Sequence, residues 1–140
     1  MTKSSSPLVS FWLCLVALVA PLGLIIVEQA LPYPVVIEEL FKAGLVWTIL
    51  KNPNAQSQFR LTILTGCLFA ISESIFYLTN FLSSGTVGLF GTRLLFTLGI
   101  HVLTMILMLF GGQKNRWYLI PALLVAFAIH AFYNLIVSGN

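Results

Sequence analysis

The stretch that decides how this chain is organised reads Pro34-Val-Val-Ile-Glu-Glu-Leu-Phe-Lys42. It places two adjacent carboxylates and an ammonium group within a segment that is otherwise apolar enough to lie in a bilayer. Ionisable side chains inside the membrane cost about 2.5–3.5 kcal/mol each on insertion scales, and they usually indicate a functional site. The rest of the chain must therefore supply partners for Glu38, Glu39 and Lys42.

The composition is typical of an integral membrane protein. Hydrophobic residues make up 59% of the 140 residues, charged residues make up 8%, and the mean hydropathy is +0.99. Because a soluble domain carries about 25% charged residues, this chain has too little polar surface to cover a water-soluble globule. The pI of about 9.1 reflects only seven Lys and Arg residues. They lie near the ends of apolar runs, which favours membrane orientation over nucleic-acid binding.

Five apolar runs predict an all-α fold, a polytopic membrane helix bundle of about five transmembrane helices in a single domain. Most runs approach the ~20 residues that a helix needs to cross the hydrocarbon core, while the second is shorter and carries the charged stretch. We expect the first run to be an uncleaved helix rather than a signal peptide. The predicted spans are 8–27, 34–50, 61–82, 89–110 and 117–137. An interfacial aromatic belt is expected at Trp12, Trp47, Trp117 and Tyr118.

Basic residues predict the orientation of the bundle. With five spans, three segments fall on the same side, and they contain Lys3, then Lys51 and Arg60, then Lys114 and Arg116. The positive-inside rule therefore predicts a cytoplasmic N-terminus.

Most of the ionisable groups outside these segments lie within the spans. Glu38, Glu73, His101 and His130 lie about 6, 14, 18 and 11 Å from the outer ends of their helices, at a rise of ~1.5 Å per residue. Span boundaries are uncertain by about two to four residues, and within that error the depths define one layer in the outer half of the bilayer. Since facing lipid is costly, we expect these groups to face one another around a water-reachable chamber.

Two histidines and a glutamate are a known ligand set for catalytic zinc, with a fourth position left for water. Under this hypothesis Glu73, His101 and His130 are the ligands of Zn²⁺, and Glu38 takes the proton of the water. Asn134 would stabilise the oxyanion.

Glu39 lies about 100° from Glu38 around the helix, so the two carboxylates do not easily share one point. We therefore expect Glu39 to support the catalytic group, paired with Lys42 or Arg93. A metal-free mechanism uses the same residues, with a carboxylate and an imidazole activating the water. Composition and spacing leave both mechanisms open.

Four motifs in this order resemble those of PrsW-type intramembrane proteases, which are related to the CAAX protease and bacteriocin-processing (CPBP) family. Glu38-Glu-Leu-Phe-Lys42 is similar to E-E-x-x-K, and Phe69-Ala-Ile-Ser-Glu73 to F-x-x-x-E. Arg93 followed by His101 resembles the third motif, and His130-Ala-Phe-Tyr-Asn134 resembles H-x-x-x-N. The resemblance covers most of the chain.

This resemblance implies an intramembrane endopeptidase, in a prokaryotic plasma membrane, that cuts a membrane protein or peptide within or beside the bilayer. It implies that Glu38 activates the water with Glu39 beside it and that Asn134 contacts the oxyanion. Glu73, His101 and His130 are implied at the metal or at the water. Nucleic acid is not an expected partner.

Two other functions stay open from the residues alone. Buried carboxylates and histidines also build proton relays, so a small proton- or cation-coupled transporter is one alternative. The sequence has no inverted repeat and few spans, which weighs against a transporter, although a homo-oligomer would supply more helices. The other alternative is a noncatalytic membrane scaffold that retains the motifs.

Overall fold

The computed structural model describes residues 7–30, 33–84 and 87–138, and all regular structure in these residues is helical. The predicted all-α fold is thereby confirmed, and each predicted span corresponds to one α-helix, with at most two of its residues outside that helix. The helices are α1 (Pro7–Ala30), α2 (Pro34–Ile49), α3 (Ala55–Ser84), α4 (Val87–Lys114) and α5 (Leu119–Ser138). A short 3₁₀ helix, Arg116–Tyr118, leads into α5.

Three helical segments in the described residues are long and apolar enough to cross a membrane, namely Pro7–Leu24, Gly88–Lys114 and Arg116–Val137. The protein is therefore an integral membrane protein. Helix α2 has 16 residues, which reach only ~24 Å, less than the ~30 Å of a hydrocarbon core. Helix α3 has 30 residues, which reach ~45 Å.

Local sequence explains where α2 and α3 begin. Pro34 stands in the first turn of α2, where its missing N–H costs no hydrogen bond. The side chain of Asn54 accepts a hydrogen bond from the backbone N–H of Ser57 at 3.0 Å, so it caps the first turn of α3. Because of this cap, α3 begins at Ala55, six residues before the predicted span.

The helices pack as one bundle around α4. Helix α3 packs most extensively on α4, α1 lies on α3, and α2 contacts α1, α4 and α5. Gly66 allows the close approach of α3 to α4, because a Cβ atom there would lie 3.2 Å from Val102 Cα. The apolar core includes Val46, Met105, Leu109 and Ala126.

One end of the bundle carries the basic segments. The guanidinium of Arg116 donates to the Leu50 carbonyl at 3.4 Å, which joins the start of α5 to the end of α2. Val9 of α1 lines a cavity together with Lys51, so α1 begins at the same end. The described residues thus place the predicted basic loops side by side, while Lys3 lies outside the described residues.

Candidate active site

Four helices bring ionisable side chains to one level of the bundle. In α2, α3, α4 and α5 these side chains lie 13, 13, 13 and 14 positions from a basic residue at the shared end, or ~20 Å along each helix. The position of Glu38 is counted from Lys51, that of Glu73 from Arg60, that of His101 from Lys114, and that of His130 from Arg116. Equal spacing in antiparallel neighbours explains why separate segments of the chain meet in one layer.

Glu39 joins α2 to α5. Its Oε1 lies 2.6 Å from Nδ1 of His130 and also forms an ion pair with Lys42, three residues further along α2. Because a carboxylate only accepts hydrogen bonds, Nδ1 of His130 is the donor, and in the neutral ring the lone pair is on Nε2. A carboxylate on one imidazole nitrogen is the arrangement that orients metal-binding histidines in proteins.

The free side of His130 faces Glu38. Nε2 of His130 lies 3.6 Å from Oε2 of Glu38, which is beyond hydrogen-bond length. The rings of His101 and His130 meet edge to face with their centroids 5.1 Å apart. Donor atoms of Glu38, His101 and His130 all lie within 4.8 Å of one another, and all three residues are buried. This separation is short enough for the three side chains to share one ion or water.

His101 is held from α2 and α3. The Lys42 ammonium lies 3.3 Å from Nδ1 of His101 and donates to the Thr104 hydroxyl at 3.1 Å. The ring of Phe69 packs against the imidazole with centroids 5.2 Å apart. Because an ammonium group only donates, Nδ1 of His101 accepts, and the proton of the neutral ring is on Nε2.

Nε2 of His101 lies beside Glu73, the third carboxylate of the cluster. It lies 2.6 Å from Oε2 of Glu73, whose side chain keeps 19% of its surface exposed. Among the described residues neither atom has an aligned hydrogen-bond partner, although the distance alone would suggest one. The two groups are misaligned, and a misaligned hydrogen bond is steeply weakened even at this distance. Buried polar atoms without a partner are uncommon, and a bound ion or water is one of the arrangements that satisfies them.

The charges in this cluster do not balance. In their ordinary ionised forms, Glu38, Glu39 and Glu73 supply three negative charges, against one positive charge from Lys42. Lys42 is completely buried, so solvent does not screen this excess well. A divalent cation would neutralise it.

The donor chemistry therefore fits a metal ion. Imidazole nitrogens and carboxylate oxygens are the usual ligands of a catalytic zinc, and the cluster offers both. The unaligned Nε2 atom of His101 provides a specific observation in favour of this fit. A cation at that atom replaces the proton placed there above, so binding releases a proton.

Asn134 lies one turn beyond His130, at the wall of a second cavity. This cavity, of about 270 Å³, lies between the start of α2 and the second half of α5. It is mainly apolar and is lined by Tyr33, Pro34, Val35, Phe127, Ala131, Asn134 and Leu135. The cavity therefore opens within one helical turn of both Glu38 and His130.

The structure brings together five of the six predicted site residues, namely Glu38, Glu39, Glu73, His101 and His130. Lys42 pairs with Glu39, one of the two partners expected for that carboxylate. Sequence reasoning missed the contacts that Lys42 and Phe69 make with His101. Thr104 follows His101 by three residues, a spacing that places both side chains on one face of α4. That spacing could have indicated that a group bound to His101, such as Lys42, also contacts Thr104.

The fold and the cluster together define a polytopic membrane protein whose glutamate and histidine side chains converge inside a helix bundle. Residues 7–140 match the family described as PrsW family intramembrane metalloproteases, and the chain belongs to this family. No curated protein matches the chain, and no solved structure matches it. Family membership supports an intramembrane protease and does not favour the transporter or the scaffold.

Proposed function

We propose that this protein is an intramembrane endopeptidase in which a buried metal ion and Glu38 together activate water against a peptide bond. The observation that carries the proposal is the convergence of Glu38, His101 and His130, whose donor atoms lie within 4.8 Å of one another. Three separate helices supply these side chains. Burial of so many ionisable groups is costly unless they act on a shared ligand.

We assign the ion to His101, His130 and Glu73. Glu39 holds Nδ1 of His130, which leaves Nε2 for the ion. Oε2 of Glu73 lies 2.6 Å from Nε2 of His101, so a carboxylate oxygen stands beside the second imidazole ligand. The ligand set of two histidines and one glutamate favours Zn²⁺. When bound, the ion would supply Lewis-acid chemistry, making a water more acidic and polarising a carbonyl.

Glu38 is assigned the role of general base. Its Oε2 lies 3.6 Å from Nε2 of His130, whereas Oε2 of Glu73 lies 2.6 Å from Nε2 of His101. The longer distance leaves room for Glu38 to accept a proton from a water beside the ligands. A base must reach the proton that it removes through a hydrogen bond, and Glu38 is close enough to do so with a modest side-chain movement. Glu39 acts through His130 and is a positioning residue.

The apolar cavity between α2 and α5 supports access of substrate from the lipid. Its lining accepts an apolar side chain, and Asn134 adds an amide donor at its wall. An amide N–H aimed at a developing oxyanion stabilises the transition state of acyl transfer. The substrate class is therefore a membrane-embedded or membrane-adjacent protein with an apolar residue beside the cleaved bond.

The positive-inside rule assigns the basic end of the bundle to the cytoplasm. The cluster, ~20 Å away along the helices, then lies in the outer half of the bilayer. A reporter enzyme that is active only outside the cytoplasm, fused after residue 140, should be active. Activity of that reporter only in an N-terminal fusion would reverse the assignment.

The decisive experiment compares Glu38→Gln with Glu73→Gln. Purified protein is reconstituted in liposomes with membrane-spanning reporter peptides tagged at both ends, and cleavage and metal content are measured together. We expect Glu38→Gln to abolish cleavage and retain the metal, while Glu73→Gln loses both. Leu40→Ala, on the exposed side of α2, serves as the control that keeps both.

Full cleavage by Glu38→Gln would overturn the proposal. Loss of metal from Glu38→Gln and retention in Glu73→Gln would exchange the two roles. If the wild type still cleaves the peptide after its metal is removed, the ion is not required. The mechanism would then be a carboxylate and an imidazole that activate the water directly.

A further inference from the structure

The basic end of the bundle carries positive charge without nearby acidic residues. Lys51, Arg60, Lys114 and Arg116 lie in or beside the loops that meet there. The sequence has four acidic residues and no aspartate, and three of the four belong to the buried cluster ~20 Å away. The fourth, Glu28, lies near the opposite end of α1. Positive charge at this end is therefore left for a partner to neutralise.

A cavity of about 520 Å³ lies among these loops. It is formed by the turn after α2, the first turns of α3, the end of α4 and the 3₁₀ helix. About half of its lining is polar, whereas the cavity between α2 and α5 is mainly apolar. The lining residues are Leu50, Pro53, Ala55, Gln58, Gly112, Gln113, Asn115 and Arg116.

The polar walls of this cavity are held in place by hydrogen bonds. Gln58 donates to the Asn52 carbonyl at 2.6 Å, and Gln113 donates to the Gln58 side-chain oxygen at 2.7 Å. The guanidinium of Arg116 lies 4.8 Å over the ring of Trp47. Within residues 7–30, 33–84 and 87–138, the guanidinium directs one N–H group to the Leu50 carbonyl, which leaves further donors of the planar fork for a ligand. The site is thus organised before any ligand arrives.

We infer that this cavity binds the phosphate headgroup of an anionic glycerophospholipid, with Arg116 as its charged ligand. The level of the cavity supports a lipid as the occupant, because exposed Trp47 and Trp117 beside it mark the membrane interface. Its charge supports an anionic headgroup, since basic pockets at this level of helical membrane proteins bind acidic phospholipids. The site is remote from the buried cluster, so it stands independently of the protease proposal.

The test uses the full chain in nanodiscs of phosphatidylcholine, with and without phosphatidylglycerol. Lipid retention is measured by native mass spectrometry, and thermal unfolding is measured in parallel. The wild type should retain phosphatidylglycerol and unfold at a higher temperature with it. Arg116→Gln should weaken retention about tenfold, because it removes charge-assisted hydrogen bonds between the guanidinium and the headgroup phosphate.

Lys114→Gln is the matched control, because it removes the same charge at the same end from a residue that does not line the cavity. It should behave as the wild type does. Asn115→Asp is a second probe that keeps the side-chain oxygen capping Trp117 N–H and adds a negative charge to the cavity. It should abolish the preference for phosphatidylglycerol even if Arg116→Gln folds poorly.

Equal losses in Arg116→Gln and Lys114→Gln would overturn the inference, because they would indicate a general surface charge effect. Equal retention of phosphatidylcholine and phosphatidylglycerol by the wild type would also overturn it. Inorganic phosphate is added as a separate arm without phosphatidylglycerol. If phosphate alone stabilises the protein as much as the lipid does, the lipid assignment is wrong and the cavity is a site for a free anion.

Discussion

Glu39 on α2 and His130 on α5 are 91 positions apart in the chain, yet Oε1 of one lies 2.6 Å from Nδ1 of the other. This contact connects the second helix to the last across the bundle. It also determines which nitrogen of His130 is available to a ligand. Because Glu39 occupies Nδ1, the neighbouring Glu38 faces the other nitrogen, with its Oε2 3.6 Å from Nε2 of His130.

Replacing His130 with alanine should remove the bound metal. The change deletes the imidazole whose Nε2 atom faces the centre of the cluster, and an ion is then left with too few ligands. Metal content of the purified protein, measured by elemental mass spectrometry, should fall from one ion per chain to a background level. Tyr133→Phe is the control and should keep its metal, since it removes only a hydroxyl on α5 that lies 3.2 Å from the Thr97 hydroxyl on α4. If His130→Ala keeps a full complement of metal, the ligand assignment is wrong.

Lys42→Met should destabilise the protein by about 3–5 kcal/mol, because it leaves the buried Glu39 carboxylate without its ammonium partner. Glu39→Gln in the same chain should recover part of that loss, because the unpaired charge is then gone. A double-mutant cycle of the free energy of unfolding measures the coupling between the two residues. Additive effects in the cycle would show that the ion pair makes no specific contribution.

Ala131→Phe should slow cleavage by filling the cavity between α2 and α5 that the proposed substrate enters. The expected effect is a strong loss of turnover with metal content unchanged, since Ala131 makes no contribution to the ligand set. Ala128→Phe is the matched control on the same helix, at an exposed residue that does not line the cavity. Comparable turnover in both variants would place substrate access elsewhere.

Gly66→Ala should destabilise the contact between α3 and α4 by about 1–3 kcal/mol, as overpacking does in tightly packed cores. The added methyl would lie 3.2 Å from the backbone Cα of Val102, which cannot move aside as a flexible side chain can. Gly99→Ala meets nothing within 4 Å and should hold or raise stability, because alanine is the better helix former. Thermal unfolding of both variants checks the difference. An equal response at the two positions would contradict the close approach of the two helices.

Several parts of the site could be predicted from the sequence because they depend on local patterns. Polar residues in apolar runs are expensive, so the positions of Glu38, Glu73, His101 and His130 predicted a shared layer. Other contacts could not be predicted in this way. The packing of Phe69 on the His101 ring depends on how α3 is rotated about its axis against α4, and no local spacing specifies that rotation.

By itself, the sequence determined the membrane class, the helical architecture and most of the ionisable residues that meet in the cluster. Hydropathy and helix length are properties of single segments, and they are decided by the cost of placing polar groups in hydrocarbon. Only the tertiary structure decided that Glu39 contacts Nδ1 of His130 while Glu38 faces Nε2 of the same ring. Glu38 and Glu39 point about 100° apart on α2, so their partners depend on the orientation of that helix among its neighbours.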